Sequence, residues 1–150
     1  MASTLTNLLY HVVFSTKERR NIIESLFREN LYSYMGGIIR GEKGILISIG
    51  GTQDHIHIFI KISPDVSVSH MLKCLKGNSS KWVNENKHSK IHFNWQIGYG
   101  AFTVSQSNIE AVIKYIEHQE EHHRKQTFKE ELISLLEKNN IEYDERYLWI

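Results

Sequence analysis

An α+β fold, one antiparallel sheet with helices on one face plus further C-terminal helices, follows from three features of this 150-residue sequence. Strand-like runs and helical periodicities alternate in the order βαββαβ, two more helical segments come after them, and no linker of serine and glycine divides the chain. The length and a hydrophobic fraction of 41% suit a single domain over residues 1–150 with a full-sized core.

Residues 8–15, Leu-Leu-Tyr-His-Val-Val-Phe-Ser, are β-branched and aromatic and predict a first strand. A basic turn, residues 16–20, leads into a helix over 21–40. There Ile22, Ile23, Leu26, Phe27, Leu31, Tyr34 and Ile38 recur at helical spacing. Gly41 and Gly44 mark its exit. Residues 45–50 and 55–62 predict two strands joined through Gly50, Gly51, Thr52, Gln53 and Asp54, and the lone proline, Pro64, ends the pair. A second helix follows over 68–86, with Met71, Leu72, Leu75 and Trp82 on its apolar side. A fourth strand is predicted over 93–104, and a third helix over 108–125 with Ser105 or Ser107 as its cap. A fourth helix, 128–138, precedes an aromatic and acidic tail. This order is the split βαβ, ferredoxin-like plan.

Charged residues make up 23% of the chain, so nothing predicts overall disorder. The net charge is only +1, so any contact with phosphates must come from local clusters. A single cysteine, Cys74, excludes an internal disulfide framework. The N-terminal residues lack the basic, apolar and cleavage segments of a signal peptide, and no run is long enough to span a bilayer. A cytoplasmic protein without membrane partners is the expectation.

The chemistry is concentrated in His55-Ile-His57, inside an apolar strand. Residues i and i+2 of a strand share a face about 6.5–7 Å apart, so the two imidazoles converge while Ile56, Ile58 and Ile60 face the other way. With nine histidines in the chain, about 0.5 such pairs arise by chance, so the pair needs support from elsewhere. Tyr115 and Gln119, one turn apart on the third predicted helix, supply it. By themselves they also fit a half-buried tyrosine beside a solvent-facing glutamine. Joined to the histidines, Gln119 offers an amide oxygen as third ligand to a divalent metal. Mixed N/O ligation with open positions suits Mg2+ or Mn2+ acting on a phosphodiester better than structural zinc. Tyr115 is then a candidate nucleophile. Its phenolate costs about 4 kcal/mol at pH 7 before any help from its surroundings. Attack would leave a 5′-phosphotyrosine and a free 3′-hydroxyl, and the reverse reaction would rejoin strands.

Several segments carry a family resemblance in consistent order. They are Leu9-Tyr-His-Val-Val-Phe-Ser-Thr-Lys17, Gly51-Thr-Gln-Asp-His-Ile-His57, Leu75-Lys-Gly-Asn-Ser-Ser-Lys-Trp82, the run from Trp95 to Ser105, Tyr115-Ile-Glu-His-Gln-Glu-Glu-His-His123, and Glu142 to Trp149. Together they resemble the single-tyrosine HUH transposases of bacterial insertion sequences, the small TnpA-type enzymes of the REP-associated tyrosine transposase superfamily. The resemblance implies cleavage and rejoining of single-stranded DNA at element ends, recognition of hairpins, and homodimers whose composite sites take the tyrosine helix from the partner subunit. It assigns His55, His57 and Gln119 as metal ligands and Tyr115 as nucleophile.

Two basic-polar clusters are candidates for phosphate contact: Lys17, Arg19 and Arg20 after the first strand, and Lys73, Lys76, Asn78, Ser79, Ser80 and Lys81 on the second helix. A solvated helix face would have the same composition. His11 reads as a packed strand histidine, His118, His122 and His123 as mainly surface, and Cys74 as a small apolar residue. Tyr143 and Tyr147 lie among carboxylates that repel DNA, so the tail reads as a docking segment. Two rival readings are a domesticated relative acting on chromosomal palindromic repeats and a non-catalytic nucleic-acid-binding module of the same fold.

Overall fold

The computed structural model describes residues 3–150. Strands β1 (Leu8–Ser15), β2 (Ile45–Gly51), β3 (His55–Ile62) and β4 (Gly100–Thr103) form one sheet of order β2-β3-β1-β4, antiparallel throughout. Helices α1 (Ser25–Gly41) and α2 (Val68–Glu85) make the connections that define the ferredoxin-like plan. The later segments α3 (Ile109–Glu117), α4 (Gln119–His122) and α5 (Phe128–Lys138) follow the sheet.

Strand alternation gives the sheet two different faces. Val12, Phe14, Ile56, Ile58 and Ile60 pack with Phe27, Leu31 and Met35 of α1 and Met71, Leu72 and Leu75 of α2 in a dry core. The other face is covered by the C-terminal segments. Leu9 and Phe59 meet Ile116 of α3, while Val13 and Phe102 meet Phe128, Leu132 and Leu136 of α5. A bulge between Leu46 and Ser48 resets the alternation of β2, so Leu46 and Ile49 both reach the α1–α2 core while Ile47 packs toward α3. Gly50 lets α3 come close: a Cβ there would stand 2.5 Å from the Ile116 carbonyl oxygen.

Several boundaries differ from expectation. The first helix begins at Ser25, four residues late, because the Ile23 amide bonds to Gln53 O at 2.9 Å and ties the approach segment to the β2–β3 turn. Leu26, expected on its apolar side, is 90% exposed. The fourth strand covers only Gly100–Thr103 of the predicted 93–104. Ahead of it, Phe93 and Trp95 leave the ladder to fill the α1–α2 core, and Trp95 keeps just a single bridge, to Thr16. The predicted helix 108–125 breaks at His118 (φ −105°, ψ 28°) into α3 and α4. Neither Ser105 nor Ser107 caps α3; their hydroxyls bond each other at 3.0 Å. The tail docks on its own chain, with Leu148 and Trp149 against the α5 cluster and the Ile97 amide bonded to Ile150 O. Among the described residues no helix is long and apolar enough to cross a membrane.

Candidate active site

His55 and His57 are fully buried on the β3 face that α3 and α5 cover. Their rings are held from behind. Asp54 Oδ1 lies 2.8 Å from His55 Nδ1 and also accepts from the Thr52 hydroxyl at 3.0 Å. Burial alone would raise the Asp54 pKa, but the His55 hydrogen bond holds it below the usual carboxylate range. An Nδ1–H donated to that carboxylate turns His55 Nε2 inward, the arrangement by which proteins orient metal-binding histidines. His57 Nδ1 shares a 2.8 Å hydrogen bond with His11 Nε2 on the neighbouring strand. Burial, then the adjacent His57, pushes the His11 pKa down to about 3. His11 is therefore a neutral, packed histidine.

Gln119, at the start of α4, is buried, and its Oε1 lies 2.9 Å from His55 Nε2. Its amide nitrogen donates to Tyr115 O at 3.3 Å, which fixes the direction of the oxygen. In a neutral imidazole with Nδ1–H, both Nε2 and that oxygen are acceptors, and a cation would satisfy the pair.

Sequence reasoning missed Glu131. This α5 carboxylate is 1% exposed, with Oε1 2.8 Å from His57 Nε2, 3.1 Å from His123 Nε2 and 3.6 Å from His55 Nε2. Its other oxygen accepts a short hydrogen bond from the Tyr115 hydroxyl. Burial opposes the charge, yet hydrogen bonds from His123 and His57 hold the Glu131 pKa far below the ordinary range. His55, His57 and Glu131 thus form a buried donor set that fits a divalent cation, with the Gln119 oxygen beside it. The signal for Glu131 was local. Thr127 and Glu130 form a capping box that starts α5, and Glu131 lies three residues after Phe128 and four before Leu135, on the helix's apolar stripe. A carboxylate on an inward stripe needs a partner.

Tyr115 is half-buried, its ring centroid 5.6 Å from that of His57. Burial first, then the Glu131 charge, pushes its pKa above the ordinary phenol value. A cleft of about 570 Å³ opens beside it, lined by Lys114, His118, His122 and Lys125 among others. His123, expected mainly at the surface, instead packs at 4.4 Å on the His55 ring. The hydrogen bond to Glu131 raises its pKa against the effect of burial.

The two basic clusters lie apart from this buried set. Lys17 and Arg19 are on a short 3-10 turn; Arg20 pairs with Glu18 at 2.9 Å, and Arg19 lies over the Trp149 ring. On α2, Lys73, Asn78 and Lys81 are exposed. Ser79 is fully buried, its hydroxyl accepting from Trp95 Nε1 at 2.9 Å and donating to Lys76 O, so it offers no group to a phosphate. Lys76 Nζ is spent on the carbonyls of Ile97 and Gly98, at 3.0 and 2.7 Å.

Comparison with known proteins gives a consistent set of relatives. The family of IS200-like transposases matches residues 4–119. The transposase for insertion sequence element IS200 of Salmonella typhimurium is 31% identical over 125 residues, which span 79% of this chain and 81% of that one. The ISDra2 transposase TnpA of Deinococcus radiodurans is 25% identical over 75% of this chain and 84% of its own. Among solved structures, a candidate transposase from Deinococcus radiodurans R1 is similar at a TM-score of 0.63 and 22% identity, covering 79% of this chain and 95% of that one. The REP-associated tyrosine transposase bound to a REP hairpin is similar at 0.60 and 11%, covering 79% and 69%. At those identities the structures speak for the fold alone. The family match ends at Gln119, before Glu131.

Proposed function

Because the chain belongs to the IS200-like transposase family, we propose that it cleaves and rejoins single-stranded, hairpin-bearing DNA at insertion-sequence ends through a Tyr115 phosphotyrosine. The observation that carries this is the convergence of the Tyr115 phenol, His55, His57, Gln119 and Glu131 in one cluster. His55, His57 and Glu131, aided by the Gln119 oxygen, would hold a divalent cation, Mn2+ or Mg2+. Bound there, such a cation supplies Lewis-acid polarisation of a phosphoryl oxygen.

The chain's own groups perform the rest. The Tyr115 oxygen bonds to phosphorus as the bond to the 3′-oxygen breaks, leaving a 5′-phosphotyrosine and a 3′-hydroxyl. Glu131 already accepts the Tyr115 hydroxyl's hydrogen bond, so it orients the phenol, whose proton passes to solvent water while the departing 3′-oxygen takes one from water. Asp54 and His11 keep the two imidazoles in register. Lys114 and Lys125, along the cleft beside Tyr115, are suited to steady the DNA backbone, and the exposed Lys17, Lys73, Asn78 and Lys81 extend the candidate phosphate contacts.

The test is covalent capture of single-stranded oligonucleotides taken from the ends of the element and containing their hairpins. Wild-type protein with Mn2+ or Mg2+ is expected to form an adduct; EDTA or Tyr115→Phe abolishes it while binding persists. Undiminished cleavage by Tyr115→Phe overturns the assignment. Glu131→Gln is expected to weaken both metal affinity and cleavage by about 10- to 100-fold. Faster cleavage would instead make Glu131 an obstructing plug.

Because one chain supplies every member of the cluster, cleavage within a single subunit has direct geometric support. A homodimer with exchanged tyrosine helices would use the same residues. Mixing Tyr115→Phe with His57→Ala separates the two: restored activity indicates exchange, and continued inactivity indicates cleavage in one subunit.

A further inference from the structure

The geometry points to a second metal site, for Zn2+, formed by Glu42, His70 and Cys74 at the seam between α1 and α2. His70 and Cys74 are one turn apart on α2 and therefore share a face. Glu42 is the C-cap residue of α1, delivered to that face by the packing of the two helices. His70 Nε2 lies 3.0 Å from Glu42 Oε2, Cys74 Sγ lies 3.5 Å from Glu42 Oε1, and Sγ lies 3.6 Å from His70 Nε2. Tetrahedral zinc with its usual bond lengths separates a nitrogen and an oxygen ligand by about 3.3 Å, and sulfur from either by about 3.6 Å. The His70 nitrogen and Cys74 sulfur already stand at that separation, each meeting a different oxygen of Glu42, and one donor atom from each of the three residues lies within 4.8 Å of the others.

The donor set selects the metal. A thiolate and an imidazole favour zinc over the hard cations Mg2+ and Ca2+, and one carboxylate completes three protein ligands. The His70 and Glu42 side chains are 53% and 31% exposed, so solvent can reach the fourth position. In the metal-free chain, burial and the adjacent Glu42 push the Cys74 thiol pKa up, so binding releases a proton. The sheet separates this cluster from the histidine pair, since α1 and α2 cover the opposite face from α3 and α5. Its role is a clip that ties the end of α1 to α2.

Because Cys74 is the only cysteine, cobalt spectroscopy reads this site alone. Co2+ titrated into EDTA-stripped protein is expected to give a thiolate-to-cobalt charge-transfer band that saturates within two equivalents in wild-type protein and at one equivalent in the His55→Ala/His57→Ala double variant. The band should vanish in Cys74→Ser, survive in the His55→Ala/His57→Ala double variant, and need at least tenfold more cobalt in His70→Ala or Glu42→Ala. In the His55→Ala/His57→Ala background, which removes the other candidate metal site, Zn2+ should raise the Tm, and adding His70→Ala should abolish that rise. No band in wild-type protein, or a band equally tight in His70→Ala and Glu42→Ala, overturns the site. Neither result depends on DNA cleavage, so loss of the transposase assignment would leave this test intact.

Discussion

The two faces of β3 come from alternate residues of one eight-residue strand, yet they obey different rules. Ile56, Ile58 and Ile60 point into a dry core where only shape and area count. His55 and His57, just as buried, point to the other side, where Asp54, His11 and Glu131 partner their rings and the Gln119 oxygen faces His55 Nε2. The apolar face can be read from alternation because any buried face of a strand demands hydrophobic residues. The polar face works only if distant segments deliver complementary groups to it, since an unpaired buried imidazole or carboxylate costs several kcal/mol.

Substitution on each face should separate the two roles. The largest effect is expected from His57→Ala, which removes a metal-binding nitrogen: metal-dependent adduct formation should fall about 10³-fold or more, in a protein that still folds by circular dichroism. One residue further, Ile58→Ala should cost about 2–5 kcal/mol in urea denaturation, with residual activity tracking the folded fraction. Loss of activity from Ile58→Ala beyond that fraction would mean that the faces are not separable.

Acid should attack the polar face first. In the unfolded chain His11 binds a proton below its ordinary value of 6.5, whereas in the fold it stays neutral down to about 3. Between those values the unfolded state holds the extra proton, so stability falls as pH drops through that window, by at most about 1.4 kcal/mol per pH unit. Glu131, held well below its usual pKa, adds a loss in the same direction once the pH passes below the ordinary carboxylate range. His123 acts oppositely: its raised pKa contributes stability that is complete below the ordinary histidine value and lost as pH rises through its folded value. Thermal melts in EDTA from pH 7 to 4 should therefore show falling Tm, and His11→Gln should flatten the upper part of the curve. An unchanged slope in His11→Gln would remove the smallest of these distinctions.

The sequence alone determined the layout. Period-two and helical patterns around β1, β2, β3, α2 and α5 placed those elements within a residue of their observed ends, because each has a clear apolar face and a short boundary. Residues 93–104 and 108–125 misled: Phe93 and Trp95 look like strand residues yet serve the helical core, and no proline or glycine announces the break at His118. The His55–His57 pair and the Tyr115–Gln119 pair were legible because strand and helix periodicities put each pair on one face. Only the tertiary structure brought Glu131 and His123 to them, and brought Glu42 to His70 and Cys74. Local periodicity states which side of its own element a residue takes. The packing of distant elements decides what meets it there, and that requires the whole chain folded at once.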